Sequence, residues 1–436
     1  MKKNILPIFL CLLTLPCFAE YIVEGGKGKP YLVEDNAKRI QVYLLNGLDN
    51  AKITFTSNSS ENHKWYKYVE KASNGVKIDD YKQLLNTSYI TDISDGTGYY
   101  VGEPTDPLTS YIWIIDYSRY IPVFNSLTID DELEDRCEMI KLLVDINAPQ
   151  LYYYTYNGEH IEIPRSYKLS YYTMKWSDAH RLFISSLEED EKIRARNGVT
   201  EHIIDAPLQD TDFTFSGDQF AEYFKIRKTM KSEEYKAIAV STEILIDTLS
   251  TTSENEMIDT KGSLSAPAAF TYTAYANEPV ATFYIWKIYN LDRSITNPVT
   301  QTTNKILHYT FEEAGRYRVD LEVSDRQSIC THKTTLSDIF VSDFKLWVPN
   351  AFSPTSSPGI NDVFKVAYKS VVKFNGWIFN RWGNELFHWT DPSQGWDGRY
   401  RGKYVPPGTY FYVIEATDAN GKKHVRKGDV NIAGGK

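Results

Sequence analysis

Along most of the chain, apolar and polar residues alternate in short runs instead of recurring at helical spacing, which is the signature of half-buried strands. The runs "RIQVYLL", "AKITFT", "KWYKYV", "SYITDI", "GYYVGE" and "YIWIIDY" follow one another between residues 39 and 117. Their spacing of roughly 8 to 15 residues, with turn residues between, suits a β-sandwich. The texture returns in "LYYYTY", "YKLSYYTMKW" and "HRLFISSL". It is cleanest in "YTFEEAGRYRVDLEVSD", where Tyr317, Val319, Leu321 and Val323 interleave with Arg316, Arg318, Asp320 and Glu322. One face of that strand is expected to be buried and the other wet. Upstream, Trp286 falls within "ATFYIWKIY", where a sandwich core accommodates one large ring.

A few segments depart from this pattern. "DDELEDRCEMIKLLVDI" fits either a helix carrying Leu133, Cys137, Ile140 and Val144 on one side or an acidic turn feeding a strand from Met139 to Ile146. "SGDQFAEYF" reads as a short capped helix. "EEDEKIRARNG" is expected to be a solvated hairpin tip, and "YKAIAVSTEILIDTL" to add strands to a second sandwich. Gly25, Gly26 and Gly28 lack the Lys-Ser/Thr that a phosphate loop needs and read as a flexible start. "STTSENEMIDTKGSLSAP", residues 250 to 267, is poor in large apolar side chains, so a domain boundary is placed there.

The fold expected is mainly β, as tandem immunoglobulin-like antiparallel β-sandwich domains. The divisions are 20–120, 121–258, 262–343 and 347–436, after a leader at 1–19. A length of 436 residues fits this, since about three domains are normal for such a chain. The 32 Tyr and 9 Trp raise the aromatic share to 14%, which favours strands. A net charge of -9 without any basic run argues against nucleic acid as a partner, because phosphate neutralisation needs clustered positive charge. Lys2 and Lys3, the apolar stretch from Ile5 to Leu15, and Ala19 before Glu20 form a secretory signal peptide, with cleavage expected after Ala19. No later run reaches the roughly 18 apolar residues of a membrane span. Cys11 and Cys17 leave with the leader, and Cys137 and Cys330, far apart in sequence, are expected to be unpaired buried thiols in different domains.

Signature chemistry is missing: no nucleophile elbow, zinc helix, Walker loop or Cys-x-x-Cys pair occurs. His63, His160, His180, His202, His308, His332, His388 and His424 are scattered singly and read as surface or strand residues. No catalytic residue, metal ligand or cofactor is assigned. The one ring cluster suited to stacking on a sugar is Tyr152, Tyr154 and Tyr156, which alternation puts on one face with Tyr153 on the other.

Two resemblances add to this. Through Trp286, Tyr309, Phe311, Gly315, Tyr317, Val319, Leu321 and Val323, residues 268–343 resemble the polycystic-kidney-disease (PKD) domain. That resemblance implies an immunoglobulin-like spacer or interaction module. The last part of the chain resembles the gliding motility-associated C-terminal domain, the type B sorting domain of the type IX secretion system. The matching positions are Asn350, Phe352, Ser353 and Pro354; Ile360, Asn361, Asp362 and Phe364; Phe379, Asn380, Arg381, Trp382 and Gly383; Trp396, Asp397 and Gly398; and Pro407, Gly408, Tyr410 and Tyr412. Two features depart from the family's pattern: "TSSPG" stands where relatives carry an acidic loop, so no metal is assigned, and the chain ends "NIAGGK" without an apolar-then-Arg finish.

Within this module Trp377, Trp382, Trp389 and Trp396 must mostly pack inside. If the module is only structural, Asp362 and Asp397 are turn-makers and Arg381 a buried fork. The resemblance implies the type IX machinery as a partner and a secreted or cell-surface location, periplasmic if the module is not used as a signal. The function expected is non-enzymatic binding or adhesion through a surface glycan or protein ligand. The alternatives are a carbohydrate-active protein or a structural subunit of a surface assembly.

Overall fold

The computed structural model describes residues 20–33, 39–58, 60–106, 109–130, 132–249, 253–258, 262–355 and 359–433; the leader lies outside them. Two compact units result. The front one runs to Thr173 and includes Leu187–Ala206 and Asp210–Lys236. The rear one comprises Met174–Ser186, Pro207–Gln209 and Ala237–Lys436. Both are nearly all β, and among the described residues the strands pair antiparallel apart from three parallel strand pairs and one parallel bridge.

In the front unit a four-stranded sheet, in the order Glu20–Glu24, Lys52–Thr56, Thr87–Ile90 and Lys82–Leu84, faces a six-stranded one. The six-stranded order is Tyr31–Val33, Ile40–Leu45, Tyr111–Asp116, Thr97–Val101, Trp65–Tyr68 and Val76–Ile78. Tyr111–Asp116 is buried on both faces, which explains its unbroken apolar run. Ile112, Ile114 and Trp65 meet the four-stranded sheet, from which Phe55 packs. Tyr111, Trp113 and Ile115 meet a second layer formed by Leu151, Tyr153, Ile163, Phe220 and Ala221. The glycine-rich entry is fastened: Gly26 N donates to Asp49 O and Lys27 N to Asn46 O, both at 2.9 Å. It is therefore not the flexible start expected.

The ambiguous acidic segment is a turn followed by the strand Met139–Asn147, with Ile140, Leu142, Val144 and Ile146 buried. The exact alternation decided against the helix. That strand is flanked by Val123–Asp130 and Gly198–Asp205. A neighbouring sheet runs Leu182–Ile193, Tyr167–Ser177, Thr214–Ser216 and Thr229–Lys231. Phe124, Tyr167 and Phe215 stack between them, at 5.2 to 6.2 Å. The charged run expected as a hairpin tip continues the strand Leu182–Ile193, and the tip lies at 178–181. The reason is that the strand is wet on both faces there, with Glu188 half-buried and Glu189, Asp190 and Lys192 exposed, so successive charges stay in water. The short helix Gln219–Tyr223 is present, capped by Asp218, which accepts from Ala221 N at 2.8 Å.

In the rear unit, Thr242–Thr248 pairs with Ala268–Ala276 instead of completing the second sandwich. Trp286, Val319, Leu321 and Val323 are fully buried in the core of that layer pair. The C-terminal sheet has the order Ala351–Phe352, Lys423–Ile432, Gly408–Asp418, Val371–Phe379 and Glu385–Trp389. The polar linker is also held: Asn255 Nδ2 donates to the carbonyls of Val366 (2.8 Å) and Pro392 (2.6 Å). Buried Lys369 donates to those of Met257 (2.9 Å) and Ser263 (2.5 Å). Cys137 and Cys330 are both disulfide-bonded, so the expectation of free thiols is overturned. An exported protein meets an oxidising setting, in which disulfides form and persist.

Candidate functional site

The C-terminal motif residues divide into those that build the module and those that project from it. Phe352, Phe364 and Trp396 are fully buried and Tyr410 nearly so. Their rings lie 5.4 to 6.0 Å apart, Trp396 touching both Phe352 and Tyr410. Such tilted and edge contacts add to the burial of ring area. Trp396 Nε1 donates to Arg399 O at 2.9 Å, and Tyr410 Oη to Pro406 O at 2.7 Å, so each ring's polar end is satisfied. Burial raises the pKa of Tyr410 and of half-buried Tyr412 above the ordinary phenol value.

Other motif residues shape turns. Asn350 O accepts from Asn431 N at 2.9 Å, and Ser353 N donates to Asn361 O at 2.8 Å. Asn361 itself is left-handed, at φ 59°. Asp362 accepts from Gly359 N at 2.5 Å and Asp397 from Arg399 N at 3.0 Å, as turn-making carboxylates do. Gly398 sits at φ +77°, where a Cβ would meet Pro354 Cγ at 3.0 Å, so the Phe-Ser-Pro and Trp-Asp-Gly blocks need each other's shape. Pro407 is exposed and leads into Gly408, which opens the strand Gly408–Asp418.

The hairpin between Val371–Phe379 and Glu385–Trp389 turns at Asn380. Its Oδ1 accepts from Trp382 N and Asn384 N, both at 3.0 Å, and Gly383 is left-handed at φ +84°. Arg381 is not a buried fork: it is exposed, with its guanidinium 4.2 Å from the Trp382 ring. An Asx turn leaves both side chains no core to enter. Trp382 is 70% exposed, whereas Trp389 and Trp396 are buried and Trp377 is half-buried. Below the tip, half-buried Phe379 stands across from Phe411 and Trp377 across from Val413 on the outer sheet face. Trp377 also stacks on His388 at 5.1 Å. The module thus presents an aromatic face with an Arg–Trp tip, and of this the motif marked only Phe379, Arg381, Trp382 and their turn.

The tyrosine cluster lies in the front unit on the hairpin Tyr152–Tyr154/His160–Glu162. Tyr153 is core, and Tyr152 is exposed with its ring 5.9 Å from half-buried Tyr154 and 4.7 Å from His160. Tyr156 is not part of that face. It stacks flat on Tyr111 at 4.9 Å and is covered by Arg39 at 4.7 Å, because the chain turns after Tyr154.

The hairpin is anchored by Arg165. Its Nη1 donates to Asp218 at 2.6 Å and its Nη2 to the carbonyls of Tyr120 (2.8 Å) and Pro149 (2.5 Å). Tyr117 Oη also donates to Asp218, at 2.6 Å, and burial followed by that carboxylate pushes the phenol pKa far upward. No motif signalled Arg165 or Asp218; the helix-capping pattern alone marked Asp218.

His63 is buried between two serines, of which Ser57 is half-buried. His63 Nδ1 lies 2.6 Å from Ser88 Oγ and Nε2 2.9 Å from Ser57 Oγ, yet Ser88 is fully buried and also accepts from Trp65 Nε1. Such a serine is unreachable by substrate, and burial lowers the pKa of His63. Of the eight histidines this one departs from the expected surface or strand setting. Among the described residues no group of three or more His, Cys, Asp or Glu is arranged to hold a metal ion, and no helix is long and apolar enough to cross a membrane.

Comparison with known proteins places two parts of the chain. Residues 128–232 match the fibronectin type III domain family, and residues 346–432 match the CHU_C type IX secretion signal domain. The C-terminal region is thus a type IX secretion signal domain preceded by an immunoglobulin-like one, which points to secretion or the cell surface. No curated protein matches the chain.

Similar solved structures include a tetra-tandem repeat from the extending region of a large adhesion protein (11% identity, 90% of this chain and 99% of that one, TM-score 0.21). A BSP domain of a biofilm-associated protein is similar at 10% identity, over 95% of this chain and 96% of that one, with TM-score 0.18. The N-terminal eight Ig domains of Down Syndrome Cell Adhesion Molecule are similar at 10% identity, over 93% of this chain and 55% of that one, with TM-score 0.22. Likeness at this level carries no functional meaning.

Proposed function

We propose that the chain is a non-catalytic surface or secreted protein. Its leader takes it across the inner membrane, the type IX machinery delivers it outward, and its front unit then acts by contact. The match of residues 346–432 to a type IX secretion signal domain carries this reading. The machinery would read what a folded module shows, namely the Arg381–Trp382 tip and the aromatic face beside it, since Phe352, Phe364, Trp396 and Tyr410 are sealed in the core. Exposed Trp and Arg are the side chains that most often anchor interfaces. The PKD-like region 262–343 serves as a spacer in this scheme.

Deleting residues 347–436 and comparing cell fractions tests the address: periplasmic retention is expected, and unchanged surface display would overturn it. Trp382→Ala with Arg381→Ala tests the tip and should cause the same retention in a folded protein. A role as a subunit that adds strands is less well served. Three of the four sheet edges in the front sandwich are strands of only three residues, and short edges are how sheets avoid pairing with other chains.

A further inference from the structure

Beside the tyrosine hairpin the front unit has a cleft of about 780 Å3. Its walls are the chain at 147–151, the end of the hairpin at 162–165, and the link at 194–197. The walls are tied, since Asn197 Oδ1 accepts from Ala148 N at 3.1 Å. Arg165 is part of the lining, but its charge is spent on Asp218 and two carbonyls. Arg194 and Arg196 differ. They alternate with buried Ile193 and Ala195, so both side chains leave the core on the same side, and both line the cleft. Neither guanidinium has a hydrogen bond or ion pair among the described residues. The one carboxylate in the lining is Glu162, which is also the cross-strand partner of exposed Tyr152. The cleft therefore adjoins the face where the rings of Tyr152, Tyr154 and His160 gather.

We propose that this cleft binds an acidic polysaccharide, with uronate carboxylates on Arg194 and Arg196 and a neighbouring sugar ring stacked on Tyr152. The proposal rests on the reading that the front unit acts by contact outside the cell. Guanidinium forks match planar carboxylates, and a tyrosine face suits the apolar side of a pyranose. The chain's net charge of -9 does not prevent this, because fields are screened beyond about 8 Å at physiological salt. A hydrolase that uses paired carboxylates is not indicated, as the lining carries a single one.

The test is titration calorimetry of the full chain with oligogalacturonate, its methyl ester and alginate oligomers, with single-stranded DNA of equal charge as a control. One or both uronates should bind, more weakly at high salt, and the ester should not. Arg194→Gln/Arg196→Gln should weaken binding at least about tenfold, and Tyr152→Ala about fivefold. All three positions are exposed, so these variants should keep the wild-type hydrogen-exchange pattern. The proposal is overturned if neither uronate binds, if the arginine variant binds as well as wild type, or if DNA binds more tightly than both uronates. Because purified protein is used, failure here leaves the localisation experiment untouched, and failed export would not alter the titration.

Discussion

The C-terminal module and the hairpin layer of the front unit solve the same problem, holding chain segments together across a sheet, by opposite means. In the module, rings and sharp turns do it: Phe352, Phe364, Trp396 and Tyr410 fill one space, and Gly398 lets Pro354 close over it. In the front unit a buried ion pair does it, with Arg165 and Asp218 joined across 53 positions and Tyr117 reaching the same carboxylate across 101. The difference lies in tolerance. A ring layer loses contacts by degrees, whereas a buried charge left without its partner is costly all at once.

The largest effect should therefore come from Asp218→Ala, which strands the Arg165 guanidinium and the Tyr117 hydroxyl. A loss of about 3 to 5 kcal/mol is expected. Hydrogen-exchange mass spectrometry on the intact chain should show it in the front unit, with residues 346–432 unchanged. Equal loosening of both regions would break the contrast. Trp396→Ala is the reciprocal change, with a loss of about 3 to 4 kcal/mol for a buried ring, confined to the module by the same measurement.

Gly398→Ala should cost about 1 to 2 kcal/mol for forcing a side chain into left-handed backbone, visible as a lower urea midpoint of the rear unit. A smaller effect is expected from pH. The hydrogen bond from Lys287, with help from Lys333, holds the Glu322 carboxyl below its usual range. A lowered carboxylate pKa stabilises the fold fully above the unfolded value of about 4.3 and is lost as pH falls through the folded one. The contribution is about 0.5 kcal/mol, and Lys287→Met should flatten that part of the pH profile. Trp382→Ala should leave stability within about 0.5 kcal/mol while abolishing export, which separates the projecting ring from the buried ones.

The two regions also differ in how much could be read beforehand. The β class, the strand with Tyr317, Val319, Leu321 and Val323 inward, and the capped helix at Asp218 were legible, because alternation and capping are local. The module was legible in its turn and ring types, yet those letters do not say which ring faces out. Trp382 and Trp396 look alike in the sequence, and only the Asx turn at Asn380 separates them. Arg194 and Arg196 were hidden within a run that reads as solvated charge, and their meaning depends on Ile193 and Ala195 pointing the other way beside a distant hairpin. Arg165 and Asp218 could not be matched in advance, since nothing local distinguishes Asp218 as its partner among the chain's 57 acidic residues.

The fastened linker has a bearing on how an exported chain could shed its address. A protease cutting between Ser342 and Lys345 would break the backbone, but Asn255 would still grip Val366 and Pro392, and Lys369 would still hold Met257 and Ser263. Nicking and release are then separate events. The two fragments should co-migrate on a sizing column and part only when denaturant is added, so a band of the trimmed size on a denaturing gel would not prove that the tail has departed.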